Sequence, residues 1–185
     1  RSVATPSELP VIRGLMMPRL GWHHLSAYTC GAFVSIGVGV IKPTGGLWTS
    51  PLLYGPESVV VGTGWTQWCA MEAWGSAADA TEVVEVVPDP DARVYVIDDL
   101  PTLARLIRTY PETGARIVPT SVRAPIDWPA VAADVDAVWL TERGQACTRF
   151  SDPSLYGWDC ETVLWLNRAF TIGERIALAA TEAAP

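Results

Sequence analysis

The sequence predicts an α+β fold, and three features carry that reading. Short runs rich in Val, Leu, Ile, Thr and Trp recur along the chain, at 47–54, 81–87, 92–98, 136–142 and 158–166. Only two or three stretches have helical spacing. The two kinds do not alternate as regular βαβ units, which argues against a doubly wound sheet.

Taken in order, residues 1–20 hold three prolines and little periodicity, and predict an extended arm. GWHHLSAYT (21–29) reads as a strand with Trp22, His24 and Ser26 on one face. AFVSIGVGVI (32–41) predicts a short helix or turn, followed by a Lys42-Pro43 loop. LWTSPLLY (47–54) is a second strand. WTQWCAMEAWG (65–75) puts Trp65, Trp68, Cys69 and Glu72 at helical spacing, with Thr63 as cap and Gly75 as stop. TEVVEVV and ARVYVID are strands. Asp99 caps LPTLARLIRTY, whose Leu103, Leu106, Ile107 and Tyr110 form an apolar stripe. DWPAVAADV is a short helix with Pro129 in its first turn. DAVWLTE is a strand, GQACTRFSDPSLYG a loop, and WDCETVLWL the last strand. The predicted organisation is an arm (1–20), one domain (21–170) and a loosely packed tail (171–185).

Composition narrows the function. With 49% apolar and 18% charged residues, the 185-residue chain can bury a real core. A net charge of -7 without a basic run disfavours general nucleic-acid binding. The four Cys have no C-x-x-C spacing, which disfavours structural zinc and predicts free thiols in a reducing compartment. No apolar run is long enough to span a bilayer, and the N-terminal stretch lacks the pattern of a signal peptide. These features predict a soluble, cytoplasmic protein.

Asp159 and Glu161 stand two apart on an otherwise apolar run, where a strand would aim both carboxylates the same way. Such a pair is costly to bury unless it is used. Upstream come His24-Leu25-Ser26, then Lys42-Pro43, then Gly46-Leu47-Trp48-Thr49-Ser50, then Trp65 and Trp68 on a helix. This ordered series resembles the NAD-binding core of ADP-ribosyltransferases of the His–aromatic–Glu type, the diphtheria-toxin-like and poly(ADP-ribose) polymerase-like branch. The resemblance covers roughly residues 20–167. Leu25 stands where that family has glycine and Trp48 where it has tyrosine. The paired acids echo the family's arginine-led branch, whose first-strand Arg and Ser-Thr-Ser are missing.

The resemblance implies two small mixed or antiparallel sheets around an NAD cleft, with a few flanking helices. It implies NAD as co-substrate, no metal, and transfer of ADP-ribose to an acceptor that the sequence does not identify. It further implies that Glu161 stabilises the ribosyl cation, that Asp159 orients the acceptor, and that His24, Leu25, Ser26, Trp48, Trp65 and Trp68 hold the dinucleotide. The chemistry agrees. Breaking the nicotinamide–ribose bond builds positive charge on the sugar, which a fixed carboxylate stabilises. The cationic nicotinamide ring is attracted to an aromatic face such as Trp48. The single small domain suggests a toxin-like bacterial or phage effector.

Plainer readings stand beside these. The Trp residues serve equally as core, His23-His24 as an exposed and a core-edge pair, and Asp159 as a turn residue. Glu161 has Arg149 or Arg168 as an alternative ion-pair partner, and Glu72 reads as a second acid or a salt-bridge residue. GTGWT is not a phosphate loop, G-x-S-x-G is absent, and nothing local marks Cys147 or Cys160 as a nucleophile. The competing function is a binding or structural protein, a component of an assembly, that keeps the fold without turnover.

Overall fold

A computed structural model describes residues 9–23, 33–37, 39–114 and 118–179. His24, Leu25, Ser26 and Cys30 lie outside the described residues.

The described residues form nine strands and four α-helices. In chain order these are β1 (Val11–Arg13), β2 (Leu20–Trp22), β3 (Leu47–Tyr54), β4 (Val60–Thr63), α1 (Gly64–Glu72), β5 (Glu82–Pro88), β6 (Arg93–Ile97), α2 (Leu100–Thr109), α3 (Trp128–Asp134), β7 (Ala137–Leu140), α4 (Glu142–Thr148), β8 (Thr162–Trp165) and β9 (Phe170–Ala177). The fold is α+β, as predicted.

The strands join one hydrogen-bonded network in the order β1-β6-β7-β8-β3-β2-β5-β9, with β4 paired to β3. Only β6 and β7 run parallel among these pairs. Their connection contains α2 and α3, because a parallel pair needs a long crossover. The expected two sheets are therefore one connected network. The reason is β3, whose eight residues are shared by three partner strands.

The central strands are covered on both faces, so their apolar residues are nearly continuous. Tyr95, Ile97, Val138, Leu140 and Leu164 face one core, where Leu103, Leu106 and Val131 of the helices cover them. Val94, Ala137, Val163 and Trp165 face a second core with Leu20, Val86 and Phe170. Successive residues of β8 thus enter opposite cores, as the period of two requires.

Local signals explain two helices. Thr63 caps α1 in a reciprocal pair with Thr66, and Asp99 caps α2 in the same way with Thr102. The α2 stripe is buried through Leu103, Leu106 and Tyr110. The GG turn before β3 needs glycine. Gly45 and Gly46 have φ of 73° and 66°, and a β-carbon on Gly46 would lie 2.5 Å from the Trp165 carbonyl oxygen.

Several expectations are corrected. Part of the predicted arm is built into the sheet, through β1 on β6 and Leu20 in β2. The predicted tail contains β9, which pairs with β5 from Phe170 to Ala177. The predicted loop at 144–157 begins inside α4, where Thr141 caps the helix and Gly144 fits against the Ile97 carbonyl, which any β-carbon would strike. Helix α1 ends at Ala73 in the left-handed region (φ 51°), two residues before Gly75. The last run is a strand only from Thr162, so Asp159 and Glu161 precede it and the two-apart rule does not govern them. No described helix is long and apolar enough to cross a membrane.

Candidate active site

Strand β3 forks the sheet. Along one edge it pairs with β2, from the His23 N–H donating to the Trp48 carbonyl (2.8 Å) to the Leu52 N–H donating to Arg19 (2.9 Å). The other edge is divided. Strand β8 holds Leu47 to Thr49, and β4 takes over at Leu52. Ser50 and Pro51 sit in the interval, and Pro51 has no N–H to offer a ladder. Here a side chain replaces the backbone bond, because Ser50 Oγ donates to the Glu161 carbonyl at 2.6 Å. The fork brings the start of β8, the end of β2 and the first turn of α1 to one place.

A small cleft of about 10 Å³ lies there, lined by His23, Lys42, Trp48, Trp65, Asp159 and Cys160 among others. His23 stacks on Trp65 with centroids 4.8 Å apart and planes 12° from parallel. Trp65 stacks on Trp68 at 5.2 Å and 17°. Trp48 meets the Trp158 ring edge-on at 4.9 Å. Lys42 Nζ lies 5.1 Å from the centre of the Trp48 ring and 3.9 Å from Asp159 Oδ2.

His23 Nε2 is 2.5 Å from Ser50 Oγ. The Ser50 proton is already committed to the Glu161 carbonyl, so the imidazole N–H is the donor. That arrangement fixes the Nε2–H tautomer. It also rules out His23 as a base acting on Ser50, because the hydroxyl oxygen receives a proton contact instead of losing one. Cys160 is no better as a nucleophile. Its thiol is raised by burial, against weaker opposing hydrogen bonds from Ser50 and Thr162.

The two acids separate. Asp159 faces the cleft. Burial pushes its carboxyl above the usual range, Lys42 and Arg149 pull it back, and the exposed Glu72 pushes it further up. Glu161 turns the other way. Its Oε1 accepts from Trp139 Nε1 at 2.8 Å, on the face of Val163 and Trp165 rather than that of Trp48 and Leu164. Burial raises its carboxyl as well, opposed by the Trp139 bond and assisted by Glu142. Arg149 instead sits beside Asp159, donating to its carbonyl.

Of the predicted site residues, Trp48, Trp65 and Asp159 line the cleft together. Trp68 backs Trp65 and meets Trp74 on its other neighbours' side at 6.1 Å. Glu161 contributes its carbonyl to the fork and its carboxylate to the reverse face. The placement of His24, Leu25 and Ser26 lies outside the described residues. His23, Lys42 and Ser50 are additions that the sequence reading missed. The signal for His23 was parity, since the residue beside Trp48 on β3 has to share its face.

One polar atom in the cleft wall has no partner. Trp65 Nε1 is buried and makes no hydrogen bond among the described residues. A buried orphan donor is uncommon and points to an acceptor supplied from elsewhere. Among the described residues, no group of His, Cys, Asp and Glu could hold a metal ion.

No family model matches the chain, and no curated protein or solved structure matches it, so the site is interpreted from its own residues.

Proposed function

We propose that the chain is an NAD-consuming mono-ADP-ribosyltransferase whose site is the fork in β3. One observation carries this reading. Two stretches that resemble the family's motifs are far apart in sequence, yet Leu47 to Ser50 lie on β3 and the Asp159–Glu161 segment leads directly into β8, the strand paired with it. Two further features support it. Trp48 offers a ring face that already attracts a cation, and Trp65 offers an unpaired indole N–H for an acceptor such as a carboxamide oxygen.

In this reading the cleft, whose 10 Å³ holds no more than a water as it stands, opens as Lys42 swings out, and the nicotinamide ring enters beside Trp48 and Trp65. Heterolysis of the nicotinamide–ribose bond returns the electron pair to the ring, which leaves neutral. The positive charge stays on the ribose. Glu161 stabilises it with a half-buried carboxylate held by the Trp139 N–H, whereas Lys42 and Arg149 already answer the charge of Asp159. Glu161 lies in a bend one residue before β8, so no ladder locks its rotamer. Breaking the single Trp139 bond frees it to turn towards the gap. The acceptor then attacks the ribose and loses its proton to Asp159, whose raised carboxyl suits a base that must later release it. His23 is a positioning residue that braces Trp65.

The experiment is nicotinamide release from NAD by the wild-type chain, Glu161→Gln and Asp159→Asn. Loss of release in Glu161→Gln by about a hundredfold or more, with the fold intact, supports the assignment. Full release in Glu161→Gln with loss in Asp159→Asn moves the catalytic acid into the cleft. Absence of both release and NAD binding in the wild type favours the binding-protein reading.

A further inference from the structure

The Trp48 ring face is occupied by the chain's own cation. Lys42 Nζ sits 5.1 Å from the ring centre and 3.9 Å from Asp159 Oδ2, so it lies between an aromatic face and a carboxylate. Those two groups together are what an aromatic cage offers any cation. The Lys42 side chain is nevertheless 45% exposed, so the ammonium can reach water once it gives up its contacts with Trp48 and Asp159.

The backbone that presents it is held in place. Gly37 and Thr44 exchange two hydrogen bonds, of 2.8 and 3.1 Å, which close a hairpin around Lys42. The hairpin rides on the segment that carries Asp159. A β-carbon on Gly157 would lie 2.7 Å from Ile41 Cγ2 and 3.7 Å from Lys42 Cβ. Glycine at 157 therefore permits the approach that brings Lys42 over the cleft. A bridged turn that presents a half-exposed ammonium is suited to exchange and not to permanent closure.

We propose that Lys42 is a specificity-determining internal stand-in for the ligand: it occupies the cation position at Trp48 and must be displaced by a planar cationic ring. The ligand class at this subsite is thus an aromatic cation, and neutral rings of the same shape gain nothing from displacing Lys42. The identification of that ring with the nicotinamide of NAD rests on the function proposed above, but the exchange itself does not.

The test uses 1-methylnicotinamide, a planar cation with no ribose bond to cleave, and nicotinamide, its neutral counterpart. Binding of each to the full chain is measured by titration calorimetry for wild type, Lys42→Met, Lys42→Arg and the double variant Lys42→Met/Trp48→Leu. Lys42→Met should bind 1-methylnicotinamide about tenfold more tightly than wild type, the scale of one cation–π contact in a partly desolvated site. Lys42→Arg should stay near wild type, wild type should bind nicotinamide about tenfold or more weakly than 1-methylnicotinamide, and the double variant should lose the gain. Equal or weaker binding of 1-methylnicotinamide by Lys42→Met overturns the proposal, as does equal wild-type affinity for neutral nicotinamide or a gain that survives loss of Trp48. Because 1-methylnicotinamide is not cleaved, the outcome does not depend on turnover. A chain that shows the exchange but never releases nicotinamide from NAD refutes the transferase reading alone.

Discussion

His23 and Ser50 are joined by a 2.5 Å contact in which the imidazole Nε2–H donates, because the Ser50 hydroxyl donates onward to the Glu161 carbonyl. Three strands are tied through one hydroxyl that is fully buried. Ser50→Ala removes the tie and leaves the Glu161 carbonyl without its partner. The expected cost is about 1–3 kcal/mol in urea denaturation, with weaker NAD binding as His23 and Trp65 lose their brace. A loss below about 0.5 kcal/mol, the range of an indifferent surface change, would show that the hydroxyl does not hold the fork.

Glu161 should cost stability where it serves chemistry. Its carboxyl is raised in the folded chain, chiefly by burial. The folded state therefore holds its proton to higher pH than the unfolded state does. Stability from this group is highest well below the ordinary glutamate value of 4.5 and falls as pH rises through it towards the raised value. Glu161→Gln has no such loss. Its melting temperature should match wild type in acid and exceed it at neutral pH, while activity is lost. A variant less stable than wild type at neutral pH would refute this account of the carboxylate.

Thr63 connects the fork to the aromatic run. It caps α1 and shares a reciprocal bond pair with Thr66, and the helix carries Trp65 and Trp68. Thr63→Ala should destabilise the chain by about 1–2 kcal/mol. It should also weaken the near-ultraviolet circular dichroism of the stacked indoles, since the first turn frays where Trp65 sits. Unchanged indole dichroism would show that the cap does not order the stack.

Gly46 sets the entry to β3. Its φ of 66° and the Trp165 carbonyl beside it leave no room for a side chain. Gly46→Ala should cost about 2 kcal/mol or more, from left-handed strain together with a backbone clash. Thermal melting would check this, and a neutral substitution would place the GG turn outside the determinants of the fold.

What was legible in the sequence was local. Thr63 and Asp99 announce their helices because a cap acts within three residues, and LWTSPLLY is legible as β3, although the strand continues to Tyr54 past the stop expected at or shortly after Pro51. What was missed depends on distant neighbours. Helix α4 contains Gly144, a poor helix residue that is explained only by the Ile97 carbonyl pressed against it. Strand β9 carried a readable alternation in Phe170 and Ile172, but its pairing partner β5 lies some ninety positions away, on the order of half the chain. His23 and Lys42 reach the cleft through register and hairpin packing, which residue spacing does not encode. The expectation that Asp159 and Glu161 point the same way failed for a simple reason. The strand begins at Thr162, so the two carboxylates are free to diverge.

The most direct test of the central claim follows two labels through one reaction. The full chain is incubated with NAD labelled separately in the nicotinamide ring and in the adenine. The account predicts that the nicotinamide label appears as free nicotinamide, that the adenine label appears in ADP-ribose or on an acceptor, and that both changes vanish in Glu161→Gln. Both labels remaining in intact NAD, or a split that Glu161→Gln performs as well as wild type, would contradict it.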